Sequence, residues 1–273
     1  MRKNNIFITM VLVLILLVQG GCEKDLEGGR LVLRITDAPF PQEWIAEVNI
    51  TVTGVDVRTD NTDSSSPYLR LSNDTLTFNL ADLRNGVTET LVDKEIGPGR
   101  IDLVRLYIGD ANIVLTNGDL FDLKVPSGAQ TGLKLFIKPA IMVEGGITAD
   151  LVLDFDLEKS LVPNGNIATI EGVKGFNFKP VVRVVNLSTS GRAEGKVTDP
   201  DINPVENASV WIEADTVLSS TLSDAYGYYN IIGIPTGIYK IYCTAQDYDT
   251  VSSDIVIIEA NRTTRNFTLT PLN

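Results

Sequence analysis

The residues of this sequence that could do chemistry include a pair of carboxylates placed two positions apart. On a strand, Asp154 and Asp156 would project from one face, because successive side chains alternate between faces. Neighbouring carboxylates repel each other unless water solvates them or a cation neutralises them. Calcium binds such oxygen ligands, and Asp150 would supply a third. The pattern predicts a structural calcium site at Asp150, Asp154 and Asp156, with a solvated strand face as the alternative.

Three aromatic residues of the carboxyl-terminal part form a second candidate site. Trp211, Tyr228 and Tyr242 are predicted to face outward, because the alternate positions on their strands are small or apolar and suit a core. Rings on a sheet surface can stack on sugars, so the hypothesis is a glycan-binding face. The alternative is that these rings pack as cross-strand pairs or against the first domain.

Composition excludes several classes of site. The 273-residue chain has no histidine, which excludes Ser-His-Asp and Cys-His nucleophilic sites and histidine-ligated metals. We predict no catalytic residue, no enzymatic activity and no cofactor apart from the calcium just described. Lys plus Arg number 23 against 35 Asp plus Glu, a net charge of −12, so nucleic acid is not an expected partner.

The amino-terminal residues have the pattern of a secretory signal that ends at a cysteine. Met1, Arg2 and Lys3 precede an apolar run over residues 6–18, and two glycines stand directly before Cys22. The apolar run is shorter than the roughly 20 residues that span a bilayer. The sequence therefore predicts a signal peptide over residues 1–21 and a mature chain that begins at Cys22.

The end of this signal resembles the lipobox of bacterial lipoproteins, although Gln19 departs from the usual leucine. The resemblance implies that Cys22 is acylated and anchors residues 22–28, a tether, to a membrane. An ordinary signal peptide or membrane anchor with a chance cysteine is the alternative. Residues 23–27, which are mostly acidic, resemble the surface-export tag of Bacteroidetes lipoproteins. The expected location is the outer membrane, with the protein facing the cell surface. The alternatives are a protein that faces the periplasm and acidic residues that only form a solvated tether.

The rest of the chain has the pattern of an all-β protein. Apolar residues alternate with polar ones over 30–35 and 48–52, and turn signals such as Asn85-Gly86 and Asn117-Gly118 recur. Asp37, which precedes Pro39, is predicted to be a turn residue. No long helical period appears. Further strands are predicted over residues 76–83, 101–108, 120–123, 133–137, 147–157 and 176–185. Frequent short strands favour two β-sandwich modules in tandem, the first over residues 29–187.

Phrases within residues 29–187 match one bacterial family. Residues 36–39 read Thr-Asp-Ala-Pro, and residues 125–135 hold the most specific phrase, Val-Pro-Ser-Gly followed two residues later by Thr-Gly-Leu-Lys-Leu. Further matches lie at residues 80–86, 98–106, 153–156 and 178–184. The segment resembles the domain of unknown function 4382 family, which occurs in bacterial surface and periplasmic lipoproteins. This resemblance implies an envelope location and no particular activity.

Residues 188–191 are predicted to be a linker, and residues 192–273 a second module. Phrases at residues 195–199, 208–212, 223–231 and 234–241 resemble the carboxypeptidase regulatory-like family, a small prealbumin-like β-sandwich. That name does not imply peptidase activity. Asp247 stands where the family usually has glycine, which puts the local turn in doubt. Cys243 is predicted to be a buried apolar residue.

These features lead to one functional prediction and one alternative. The prediction is a non-enzymatic lipoprotein, held in the outer membrane through Cys22, that acts in adhesion or envelope structure and has a surface protein or glycan as its partner. The alternative is a carbohydrate-binding accessory lipoprotein that captures glycans with Trp211, Tyr228 and Tyr242.

Overall fold

The computed structural model describes residues 28–38, 44–60, 66–126, 128–166 and 168–272. The predicted signal peptide, the acylation site Cys22 and the acidic residues 23–27 lie outside the described residues. Two residues of the family phrases, Pro39 and Ser127, also lie outside them.

The described part of the first module is built from strands with very little helix. Its strands are β1 (Gly29–Ala38), β2 (Ile45–Thr59), β3 (Tyr68–Ser72), β4 (Leu76–Asn79), β5 (Glu89–Ile96), β6 (Gly99–Leu115), β7 (Leu120–Asp122), β8 (Leu133–Val143), β9 (Thr148–Asp156), β10 (Leu161–Gly165), β11 (Val173–Phe178) and β12 (Val182–Asn186). A single-turn helix, α1 (Leu157–Ser160), and 3-10 turns at Leu80–Asp82 and Ile170–Gly172 join them.

Two main sheets enclose the core of this module. One has the strand order β12-β9-β1-β5, and the other has the order β3-β2-β6-β7, with β4 also paired to β2 and β8 to β6. β1 runs parallel to β9, with Arg30 opposite Thr148, whereas β1 and β5 are antiparallel. Leu31, Leu33 and Ile35 of β1 are fully buried, as the alternation predicted. They pack with buried residues of the other sheet in one apolar cluster.

The second module contains a separate apolar cluster. Its described strands are β13 (Ser190–Thr198), β14 (Ser209–Glu213), β15 (Val217–Leu222), β16 (Tyr228–Pro235), β17 (Gly237–Thr244), β18 (Val251–Ile257), β19 (Arg262–Thr264) and β20 (Phe267–Thr268). One sheet has the order β16-β13-β19, with β20 also paired to β13, and the other has β15-β14-β17-β18. Their inner faces bury a cluster that extends from Ala193 to Leu269. The all-β class with tandem sandwich modules is confirmed.

The predicted linker, residues 188–191, lies in a 3-10 turn at Leu187–Thr189 and in the first two residues of β13. Ser190 and Gly191 are buried, and Ser190 pairs with Pro235 of β16. The second module therefore begins within four residues of β12, and the two modules lie in contact.

Several predicted strand limits differ from the observed ones, and three of them have a clear local reason. The strand predicted over residues 76–83 ends at Asn79, whose side chain accepts a hydrogen bond from Ala81 N and caps a 3-10 turn. The strand predicted over residues 147–157 ends at Asp156, which caps α1 in the same way by accepting from Lys159 N. The segment 176–185 is two strands in different sheets, β11 and β12, interrupted at Lys179-Pro180 because proline cannot donate to a ladder.

Candidate functional site

The three predicted calcium ligands are held by three different basic residues. Asp154 lies opposite Arg183 in the β9–β12 ladder and accepts from its Nη2 at 2.7 Å. Asp150 accepts from Arg34 Nε at 3.0 Å, and Asp156 pairs with Lys159 Nζ at 2.6 Å. Within the described ranges, no three carboxylate, cysteine or histidine groups lie close enough to hold a metal ion. The structure therefore does not bring the three residues together as one ligand set.

The alternative prediction, that water solvates these carboxylates on a strand face, is wrong for Asp154. Asp154 is only 9% exposed, so water does not solvate its carboxylate. Burial raises the pKa of Asp154, and the guanidinium of Arg183 opposes that rise by favouring the charged form. At Asp154, an arginine thus supplies the neutralisation for which the sequence allowed a calcium ion or water, and the calcium site itself stays a prediction.

The turn role predicted for Asp37 is also wrong. Asp37 lies inside β1, pairs with Phe155 of β9 and is 5% exposed. The backbone N–H of Leu157 donates to its carboxyl group, whereas Oδ1 has no hydrogen-bond partner. Burial, and then the neighbouring charge of Asp154, raise the pKa of Asp37 well above its ordinary value. The sequence held a signal for this, because position 37 follows 31, 33 and 35 on the buried face.

A second part of the site is the turn at Asn85 and Gly86. Both residues have left-handed φ angles, 59° and 76°, which asparagine and glycine adopt most readily. The turn is tied to β1, since Thr36 Oγ1 lies 2.8 Å from Leu83 O and 2.7 Å from Val87 O. The sequence predicted this turn. The sequence did not predict that Thr36, in the Thr-Asp-Ala-Pro phrase, holds this turn in place.

The Asn85 side chain reaches into the second module. Its Oδ1 accepts from the backbone N–H of Asn230 at 2.6 Å and from Thr221 Oγ1 at 3.4 Å. Its Nδ2 donates to the backbone carbonyl of Tyr228 at 3.3 Å. These contacts, together with the Arg183 contact described next, form what we call the module junction.

Arg183 makes the other polar link of the module junction. While its Nε and Nη2 bind Asp154, its Nη1 donates to the carbonyl of Gly233 at 3.4 Å. Gly233 has a φ of 69°, and a Cβ built there would lie 2.5 Å from Val185 Cγ1, so the two modules approach too closely for a larger residue. Arg183 thereby connects the buried carboxylate of Asp154, in the first module, to the backbone of the second module.

The aromatic residues do not form one platform. Trp211 and Tyr242 are cross-strand neighbours on β14 and β17, and their rings stack with centroids 5.2 Å apart and planes 8° apart. Trp211 Nε1 also donates to Glu213 at 2.8 Å. Tyr228 is exposed but lies on the other sheet, with Lys196 Nζ 5.4 Å from its ring centre. The stack is the cross-strand pairing that the sequence allowed as an alternative to glycan binding.

Two smaller predictions concern β17 and the turn after it. Cys243 is fully buried, as predicted, and burial raises the pKa of its thiol to about 12. Asp247 adopts a φ of 64°, the left-handed conformation that favours glycine. The turn therefore keeps the backbone that a glycine would adopt, with aspartate in its place.

Comparisons with known proteins agree with both resemblances. A family model described as "Domain of unknown function (DUF4382)" matches residues 28–180, more than half of the 273-residue chain. The chain belongs to the DUF4382 family. The matched part includes Asp37, Asn85 and Asp154. A second model, described as "Carboxypeptidase regulatory-like domain", matches residues 192–270 of the same DUF4382 protein. No curated protein matches this chain.

Solved structures resemble this DUF4382 protein only distantly. They include the Bacillus anthracis TIE protein, 14% identical, with a TM-score of 0.28 over 90% of this chain and 34% of that one. The chain thus spans about a third of the TIE protein. The shaft pilin SpaA of Lactobacillus rhamnosus GG is 12% identical, with a TM-score of 0.27 over 90% of this chain and 98% of that one. BcpA, the major pilin subunit of Bacillus cereus, is 10% identical, with a TM-score of 0.26 over 90% and 71%.

No helix within the described ranges of residues 28–272 is long and apolar enough to cross a membrane.

Proposed function

We propose that this DUF4382 protein is a non-enzymatic lipoprotein, anchored in the outer membrane through Cys22, that acts at the cell surface in adhesion or envelope structure. The observation that supports this function best is the module junction. There the Asn85 side chain is hydrogen-bonded to the backbone at Tyr228 and Asn230. Backbone groups have fixed positions and directions, so such bonds hold two modules in one relative arrangement. Such an arrangement suits a protein that positions a contact surface away from the membrane.

The charge and composition of the chain support the same function. A net charge of −12 keeps a surface protein soluble and disfavours binding to nucleic acid or anionic lipid. Without histidine, the commonest general base is absent from the whole sequence. The buried carboxyl of Asp37 lines a cavity of only about 20 Å³, which leaves no room for a substrate.

The location is tested by treating intact cells with protease while a periplasmic protein serves as the control. We expect the wild-type chain to be degraded while the control survives, and a Cys22→Ser chain to leave the membrane fraction. If the wild-type chain survives until the outer membrane is broken, it faces the periplasm, and adhesion is excluded as its role.

The role itself is tested in a deletion strain that carries the wild-type gene, Asn85→Ala or Cys22→Ser. We expect deletion to reduce attachment to a surface or to raise detergent sensitivity, and only the wild-type gene to restore the lost property fully. A deletion strain that matches its parent in both measurements would contradict the proposal. Turnover of any glycan or peptide by the purified protein would contradict its non-enzymatic part.

A further inference from the structure

A cleft of about 980 Å³ opens where the two modules meet. On the first module its walls are the second half of β8, from Ile137 to Met142, and the strand β12. On the second module they include Val217 and Leu218 at the start of β15. Ile147, just before β9, also lies on the wall. This volume falls within the range of known ligand sites, roughly 300–1,000 Å³.

Apolar side chains in the wall of this cleft are exposed to water. Met142 and Ile147 are each 53% exposed, and Val217 on the opposite module is 44% exposed. Val184 and Leu218, which are half-buried, continue the apolar surface. Of the three charged residues in the wall, Arg183 is already paired with Asp154, and Lys138 and Glu259 are exposed to water. Exposed apolar groups that line a concave surface indicate a site for an apolar ligand.

The described chain begins beside this cleft. Arg30 N donates to Ile147 O at 3.1 Å, and a Cβ built at Gly29 would lie 2.8 Å from the same oxygen and 2.7 Å from Val143 Cγ1. Gly29 therefore contacts the β8–β9 hairpin, whose residues Met142 and Ile147 line the cleft.

The length of the preceding segment limits where Cys22 can lie. Five residues, 23–27, separate Cys22 from Gly28. Because an extended chain spans at most about 3.3–3.6 Å per residue, the Cα of Cys22, six positions before Gly28, lies no more than ~22 Å from that of Gly28. A group attached to Cys22 is thus within reach of the cleft.

We propose that the cleft holds one acyl chain carried by Cys22 of the same molecule whenever the protein is away from a membrane. This inference rests on the lipid anchor of the proposed function. A hydrocarbon chain has no polar group to satisfy, so it suits a wall formed by Met142, Ile147, Val184, Val217 and Leu218. The cleft and the bilayer then compete for the same acyl chain, and occupancy of the cleft weakens membrane binding.

The test uses the full-length acylated protein with Met142→Cys carrying a polarity-sensitive fluorophore. The label is selective, since acylation blocks Cys22 and Cys243 is buried. We expect blue-shifted emission from the acylated protein compared with its Cys22→Ser form, and loss of the shift when phosphatidylethanolamine vesicles are added. Equal emission from the two forms would overturn the inference. Equal shifts of both forms on adding free palmitate would assign the cleft to external lipid, which also overturns it.

A second measurement does not depend on the label. Val217→Trp fills the cleft, whereas Val256→Trp changes a similarly exposed valine of β18 that does not line it. We expect Val217→Trp to increase the vesicle-bound fraction of acylated protein and Val256→Trp to leave it unchanged. Equal effects of the two variants would refute the inference.

Mass spectrometry of the mature chain separates the two possible failures. An acylated Cys22 without a fluorophore shift disproves the cleft inference and leaves the proposed function intact. An unmodified Cys22 disproves the anchor itself.

Discussion

Replacing Asn85 by glycine should uncouple the two modules while leaving each one folded. Glycine accepts the φ of 59° at this position, so the variant removes only the side chain. The hydrogen bond from Asn230 N, at 2.6 Å, contributes about 1 kcal/mol, and the two longer ones, at 3.3 and 3.4 Å, contribute about half as much each. The expected loss of coupling free energy is therefore ~2 kcal/mol.

The matched control is Asn117→Gly. Asn117 also lies in an Asn-Gly turn, but its side chain bonds only within its own loop, to Asp119. Both variants gain the same freedom in the unfolded chain, and Asn117→Gly also loses two hydrogen bonds within its own loop. A separation of the two unfolding transitions that occurs in Asn85→Gly but not in Asn117→Gly therefore reports on the module junction.

The chain carries a separate fluorescent probe for each module. Of its two tryptophans, Trp44 packs against the first core and Trp211 lies on the second module, so Trp44→Phe and Trp211→Phe backgrounds report each module alone. In urea, we expect Asn85→Gly to lower the midpoint of the less stable module and to separate the two transitions. If Asn85→Gly and Asn117→Gly unfold alike, the junction contributes no coupling and the reasoning fails.

Three further predictions concern single residues. The raised pKa of Asp37 means that the folded state binds the proton of this carboxyl group more tightly than the unfolded state does. The free energy of unfolding therefore falls as the pH rises from the pKa of the unfolded state towards that of the folded state. The fall is at most about 1.4 kcal/mol per pH unit. Asp37→Asn should remove that contribution in denaturant titrations across acidic to neutral pH, and an unchanged slope would refute it. If glycan capture is the function, Trp211→Ala should abolish retention on polysaccharide gels while Tyr228→Ala, on the other sheet, should not; no retention of the wild-type protein ends that alternative. Because burial raises the pKa of the Cys243 thiol to about 12, a Cys22→Ser chain, whose one thiol is Cys243, should resist maleimide labelling when native and react once denatured. Rapid labelling of this native variant would contradict the burial of Cys243.

Much of the fold could be predicted from local pattern. Strands such as β1 and β2 have one buried face, so their apolar residues alternate and the period of two identifies them. The turns at Asn85 and Asn117 were predictable as well, since each depends on an asparagine and the glycine that directly follows it. Strand ends were less predictable, because Asn79 and Asp156 cap short turns that interrupt an otherwise apolar run.

The site was predictable only in part, because its contacts join distant positions. Asn85 and Asn230 are 145 residues apart, and nothing in either neighbourhood indicates the other. The pairing of Arg183 with Asp154 depends on the β9–β12 register, which the sequence did not reveal. The sequence identified Asp154 as a carboxylate in need of neutralisation, but could not specify whether a metal ion, water or an arginine would supply it.

The parallel pairing of β1 with β9 has a consequence for how the chain acquires its structure. β1 is made first, yet its register sets Arg30 beside Thr148, so the sheet stays incomplete until more than half of the polypeptide has been synthesised. In the second module β13 similarly awaits β19, with Arg192 beside Arg262. Pairings between such distant segments form slowly, because a long loop must close before any contact is gained. Each module is thus completed by its last strands, which makes folding a late event in the synthesis of the chain.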